Sequence, residues 1–276
     1  MTDIVRRIVP QSRWLDFGLQ ELWRHRELLF WLGWRDLRVR YQQTVAGALW
    51  VVVQPLAMMA VFSFTLGFLA RVASNDLPYA VLVLSGLVPW TLFSSILSSA
   101  SSSLVSNASL VTKVYFPRNV LVFSALLAPL VDFAVSLVIL LVILAIFGVV
   151  PAWTVVLLPF FGILVAVTAL GPGLWFATLN VRYRDVRFMI PFLLQVGLFA
   201  SPIVYPIDLV PPQYLTIYSL NPAVFMIQEF RHLLFGTGLV TTAMFVSWLA
   251  FTTVTIVSGL LYLRAEEKFF ADMILK

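Results

Sequence analysis

Asp132 is the one acidic residue set well inside a long apolar run of this 276-residue chain. An ionisable group in such a place marks a functional position by default, or else a charge held by a neighbouring helix. A proton relay would need a second carboxylate at similar depth, and the runs hold none. The other residue types narrow the chemistry further. The chain has no cysteine, which excludes disulfides, thiolate metal sites and Cys nucleophiles. His25 and His232 are the only histidines, too few for an imidazole metal site, so no metal is expected. Lysine occurs only at Lys113, Lys268 and Lys276, and no Gly-x-x-x-x-Gly-Lys-Ser/Thr loop exists to cradle nucleotide phosphates. No catalytic residue and no cofactor of this chain's own are therefore expected. If work is done with ATP, the nucleotide and its Mg sit on a partner chain.

The elements that would carry these residues are membrane helices. The chain is 61% hydrophobic and 11% charged, against about 25% charged in soluble domains. About 20 apolar residues cross a bilayer core. Six runs qualify: Val45–Ala70, Tyr79–Val105, Val120–Val149, Thr154–Asn180, Met189–Tyr205 and Leu239–Leu263. The expected fold is an all-α polytopic membrane protein with six transmembrane helices. The first 44 residues are charged and aromatic rather than a signal peptide, so the first span is expected to insert and stay. The net charge of +5 does not point to nucleic acid, because the basic residues flank the apolar runs. Sixteen of the eighteen fall on one side of a six-span arrangement, only Arg71 and Arg231 on the other. The positive-inside rule then puts both termini in the cytoplasm. One permease domain is expected over 1–276: an interface region 1–44, a six-span core 45–263 and a tail 264–276.

Four segments carry more information. Leu15, Leu19, Leu22 and Trp23, then Phe30, Trp34, Leu37 and Tyr41, recur at helical spacing, as in a helix lying in the membrane interface. It is either an anchor or the flank of a substrate entrance, where Arg35, Arg38 and Arg40 attract an anionic headgroup. Between the second and third spans, Ser106 or Asn107 can cap a short helix that Pro117 stops. Its residues Leu110, Val111, Val114, Tyr115 and Phe116 need a cover, from a soluble partner or from the membrane surface. Ser95, Ser99, Ser102 and Ser106 form a small-residue stripe suited to tight packing, across a dimer or within the chain, or to a polar lining. After the fifth run, Pro202, Pro206, Pro211, Pro212 and Pro222 preclude a continuous helix. Asn221 caps, Pro222 starts and Gly236 ends a helix too short to span, which carries Glu229 and Arg231. The segment 206–236 reads as two re-entrant helices, a candidate outer gate or an inert surface loop.

In this setting the run Trp34-Arg35-Asp36-Leu37-Arg38-Val39-Arg40-Tyr41-Gln42-Gln43-Thr44, with Gly47, Leu49 and Trp50, resembles the N-terminal signature of bacterial polysaccharide-export ABC permeases, the Wzm-like O-antigen and teichoic-acid exporter subunits. Leu110 to Arg118, Asn180 to Val186, and Ser201 to Tyr205 with Asn221-Pro222 are similar and follow in the same order. The resemblance implies a homodimer with two copies of a nucleotide-binding ATPase subunit. It implies a coupling helix at Leu110, Val111, Lys113, Tyr115, Phe116, Pro117 and Arg118. It also implies an outer gate at Pro202, Tyr205, Pro206, Asn221, Pro222, Glu229 and Arg231. The implied substrate is a lipid-linked glycan, moved across the bacterial cytoplasmic membrane. Sugar rings stack on aromatics, so Trp34, Tyr41, Trp50, Trp90 and Phe93 are path candidates beside Arg35, Arg38 and Arg40, unless they serve as interface anchors. The alternatives are a small-molecule or drug exporter permease, a passive channel or scaffold, and a membrane-embedded lipid or sugar transferase. The last would place paired acidic or His residues at a membrane face, and the spans show none.

Overall fold

The computed structural model describes residues 19–42, 47–72, 77–114, 116–236, 238–267 and 270. Leu15, Gln43, Thr44, Val45, Tyr115, Lys268 and Lys276, named above, lie outside the described residues. Every regular element among the described residues is helical.

Helices α1 (Leu19–Arg24) and α2 (Arg26–Gln42) form the expected N-terminal element. Its inner face is set by Gly33, where a Cβ would stand 2.9 Å from the Ser124 carbonyl oxygen and 3.0 Å from Leu127 Cβ. Phe30, Trp31 and Trp34 remain exposed. The first span joins α3 (Gly47–Phe62) to a π-helical stretch, Ser63–Leu69. The second is α4 (Tyr79–Ser106), which leads through Asn107 into the short α5 (Ala108–Lys113). The third is broken: α6 (Asn119–Ser124) and α7 (Leu127–Ile146) are separated by a turn. A 3₁₀ turn, Trp153–Leu157, starts the fourth, which continues as α8 (Leu158–Arg182).

The fifth run departs from expectation. Five helical stretches are long and apolar enough to cross a membrane, whereas α9 (Val186–Phe199) has 14 residues, about 21 Å of rise. It stops at Ala200 because Pro202 offers no N–H to continue the ladder. Residues 201–204, expected in the span, fold back as a buried turn. Even so, α9 joins the two ends of the bundle. The C-terminus of α8 sits beside that of α4, where Asn180 Nδ2 donates to Ser101 O at 3.0 Å. The turn after α9 meets the start of α4, where the Tyr79 hydroxyl donates to Val204 O. Two helices follow as expected, α10 (Pro212–Tyr218) and α11 (Pro222–Phe235), before the last span, α12 (Thr242–Glu266).

Helix α4 is the pillar. In its most apolar stretch 78% of residues are buried, against 6% in the first span, so the chain packs around α4 and leaves α3 on the outside. Helix α8 lies along α4 on one side and α12 on the other. The α8–α12 approach is close because a Cβ at Gly171 would fall 2.2 Å from Thr255 Oγ1 and one at Gly259 would fall 2.9 Å from Leu174 Cβ; small residues of this kind let membrane helices gain van der Waals contact. The serine stripe is not the protomer's own packing face. Ser95, Ser99 and Ser102 are half-buried and Ser106 is exposed, whereas Ser101 and Ser103 are the buried ones. Ser101, Ser102 and Ser103 spend their hydroxyls on carbonyls of the preceding turn.

Candidate functional site

Functional side chains gather at both ends of α4. At the basic end, the short α5 follows α4 through Asn107. Asn107 sits where a cap was expected, but its side chain does not cap α5. Its Nδ2 donates to Ser103 O at 2.8 Å, closing the end of α4, and its Oδ1 accepts from Arg35 Nη2 at 2.6 Å. Arg35 also pairs with Asp36 at 2.7 Å.

The expectation that the apolar residues here await an external cover holds only in part. Val111 and Phe116 are buried in the chain's own cluster with Leu32, Leu104, Leu121 and Phe270. Leu110 is half-buried against it and Pro117 is half-buried, leaving Lys113 and Val114 open. Arg118 is buried as well. Its Nη1 donates to Val114 O at 3.0 Å and its guanidinium lies 5.3 Å from the Phe116 ring centre, so it staples the loop rather than presenting charge. The physical reason is local: the chain reverses within a few residues before α6, which folds the apolar side chains back under α4.

The sequence reading missed the C-terminal tail. Glu267 Oε1 accepts the Arg118 backbone N–H at 3.1 Å, Arg264 pairs with Glu21 at 3.5 Å, and Arg182 with Glu266 at 3.6 Å. Burial pushes the Glu267 carboxyl above its ordinary value, while the bond from Arg118 pulls the other way. The tail thus ties the interface helix, the α5 loop and the α8–α9 connection together. The acidic pair Glu266-Glu267 between Arg264 and Lys268 was the available signal.

Asp132 resolves as an anchor. Its Oδ2 lies 2.7 Å from Arg40 Nη1, and its Oδ1 accepts the Tyr41 hydroxyl. Burial, then the bond to Asp132, raises the Tyr41 phenol to about 12, so Tyr41 remains a donor at neutral pH. Two expected entrance residues therefore clamp the interface helix to α7. Arg38, Trp34 and Trp50 are exposed. Trp90 and Phe93 are not open to a path within this chain: they stack at 5.7 Å and are buried, with Trp90 against Gly197 of α9.

At the opposite end, Arg231 is buried against polar atoms of two segments, α4 and the turn after α9. Its Nε donates to Ser85 Oγ at 3.2 Å, and its Nη2 to Leu82 O and Ile203 O, both at 3.0 Å. A Cβ at Gly86 would stand 2.8 Å from Ile203 O, so the turn can seat this close only on glycine. Pro202 and Pro206 are buried in the same turn. Tyr205 and Tyr218 share a 2.8 Å hydroxyl contact, and burial raises the Tyr218 phenol. Asn221 caps α11 through Ala223 N at 3.0 Å and also donates to Ala200 O; Pro222 starts the helix and Gly236 ends it at φ +72°, all as expected. Glu229 does not join this set. It faces the other way, into a pocket between α8, α11 and α12. Among the described residues no group of three His, Cys, Asp or Glu is placed to hold a metal.

A bundle of long apolar helices with a short, tethered helix projecting beyond its pillar is the architecture of a membrane permease. The chain matches the ABC-2 type transporter family over residues 27–235 and belongs to it. It is similar to the O-antigen export system permease protein RfbA of Myxococcus xanthus, 30% identical over 77% of this chain and 82% of that protein. The RfbA protein of Klebsiella pneumoniae is 29% identical over 75% and 80%. The polysialic acid transport protein KpsM of Escherichia coli is 26% identical over 85% and 91%. A transport subunit, rather than an enzyme, is what the family defines.

Proposed function

We propose that this permease is the membrane half of an ATP-driven exporter that moves lipid-linked polysaccharide across the bacterial cytoplasmic membrane, with both termini cytoplasmic. Two copies pair with two ATPase subunits, which supply the ATP and Mg site this chain lacks. The observation that carries the mechanism is the continuity of α4: one end runs into α5, the other holds Tyr79, Ser85 and Gly86 against the gate turn. A 28-residue helix spans about 42 Å. A push on the exposed Lys113 and Val114 is passed toward the Arg231 cluster along α4, through Asn107 and past the interior Pro89. Arg38, Arg184 and Arg187 are exposed at the basic end, where a pyrophosphate-bearing lipid would be drawn in. The names of the relatives, O-antigen export and polysialic acid transport, support a polysaccharide as cargo.

The test is affinity purification of the tagged full chain from its native membranes, with a Lys113→Cys variant cross-linked before extraction. A stoichiometric P-loop ATPase cross-linked through position 113 is expected, and lipid-linked glycan should stimulate its hydrolysis. A chain that emerges intact and alone refutes the exporter assignment. An ATPase stimulated by small hydrophobic drugs, but not by glycan, refutes the substrate.

A further inference from the structure

The pocket beside Glu229 serves none of the functions above. It has a volume of about 420 Å³ and lies between α8, α11 and α12. Its floor is aromatic. The Phe225 and Trp248 ring centres are 4.9 Å apart, Phe225 and Phe245 5.7 Å, and Phe245 and Trp248 5.9 Å. Glu229 stands in the wall, half-buried, and has no hydrogen bond or ion pair among the described residues. Arg231, two residues along the same helix, is fully engaged on the far side with Ser85, Leu82 and Ile203. Among the described residues, the carboxylate is thus the only charged group lining the cavity.

We propose that this pocket binds the ammonium headgroup of a membrane lipid, of the phosphatidylethanolamine class. Charge and shape both select that occupant. An ionised carboxylate accepts hydrogen bonds only, and three N–H donors of a primary ammonium match it. The faces of Phe and Trp carry negative potential and attract a cation within about 6 Å of the ring. Both features repel an anionic headgroup. Location selects a lipid over a soluble amine. The lining comes from the same end of two spans: Phe161 and Leu164 in the first two turns of α8, after the 3₁₀ turn that starts the fourth span, and Thr242, Phe245 and Trp248 in the first two turns of α12. Span ends sit at headgroup depth. Leu164, Phe245, Val246 and Leu249 are exposed large apolar side chains around the mouth, which acyl chains would cover. The pocket also lies away from α3, the span left outside the protomer's core. The proposal needs only that the chain spans a membrane, not that it exports a glycan.

The experiment is native mass spectrometry of the full chain released from detergent after incubation with equimolar dioleoyl phosphatidylethanolamine and phosphatidylglycerol, repeated for Glu229→Gln and Phe245→Leu. Wild-type protein should retain phosphatidylethanolamine at least about tenfold over phosphatidylglycerol, from one charge pair and the cation–π contacts together. E229Q should bind the two lipids about equally, and F245L should lose part of the preference. Thermal unfolding in phosphatidylglycerol alone should be the same for all three proteins, which separates a lost site from a lost fold. A wild-type chain without preference, or an E229Q variant that keeps it, overturns the proposal. A protein chain cross-linked at position 229 in native membranes overturns it in favour of a polypeptide occupant.

Discussion

Replacing Asp132 with Ala removes the charged tie that its carboxylate makes from the third span to Arg40 and Tyr41 of the interface helix. The structure sets the size of the effect. The Tyr41 hydroxyl gives a half-buried bond to a carboxylate, worth about 1.5–3 kcal/mol as a hydrogen bond to a charged group. The Arg40 pair adds less, because its side chain is 46% exposed and pairs so solvated contribute about 0.2–1 kcal/mol. A loss of about 2–3 kcal/mol raises the detached population of α2 by about 30- to 150-fold. The chain has no cysteine, so Leu32→Cys supplies a single thiol at a position 7% exposed against the bundle. Maleimide labelling of that thiol in membranes reports the opening. The L32C/D132A double variant should label about 30- to 150-fold faster than L32C alone, while its global unfolding changes little. A rise of less than about threefold refutes the clamp and assigns the docking of α2 to apolar contact at Leu32 and Gly33. The same experiment has a pH arm. Tyr41 has a folded value near 12, above its ordinary value of 10.0, so its contribution is complete below about pH 10 and fades as pH rises through 12. Labelling of L32C should accelerate in that window and should not do so with Tyr41→Phe.

Arg231→Met should cost about 2–4 kcal/mol, because it strands three buried acceptors, two in α4 and one in the turn after α9. A lowered melting temperature and lost export check it, with Arg231→Lys intermediate. Gly86→Ala should cost about 1–3 kcal/mol, since its Cβ would stand 2.8 Å from Ile203 O and 3.1 Å from Arg231 Nη2; a permease that tolerates it without loss of stability or export has a turn after α9 that yields. Glu267→Ala should free the α5 loop and uncouple hydrolysis from transport while leaving ATPase binding intact, as measured by ATP consumed per glycan exported. Because burial raises the Glu267 carboxyl, its stabilising effect is complete below the ordinary carboxylate value and declines as pH rises through the raised one. Proteolysis of the tail should therefore quicken from acid toward neutral pH in wild type but not in Glu267→Ala.

Much of the molecule was legible because its signals are local. Apolar length placed the first, second, third, fourth and last spans within a few residues of their observed ends. The Asn221-Pro222 start and the Gly236 stop of α11 follow from capping chemistry confined to a few residues. The fifth run misled because hydropathy continues through Ile203 and Val204 while Pro202 ends the helix; their burial in a turn and their burial in a span look alike in composition. The loop after α4 misled for a related reason. Val111 and Phe116 are apolar whether a partner covers them or the chain does.

What the sequence by itself determined is the class of solvent and the place of most of the apolar spans. Fifteen or more consecutive apolar residues have no place but lipid or a packed core, and Pro, Gly and Asn act on the backbone within one turn. Only the tertiary structure decided which residues meet. Asp132 finds Arg40 and Tyr41 about 90 positions away, Arg231 finds Leu82 and Ser85 about 146 to 149 positions away, and Glu267 finds Arg118 across 149. Glu229 and Arg231, two residues apart, part company because successive positions on a helix face different neighbours. Such pairings depend on how α4 is surrounded, and no local property of the chain encodes that.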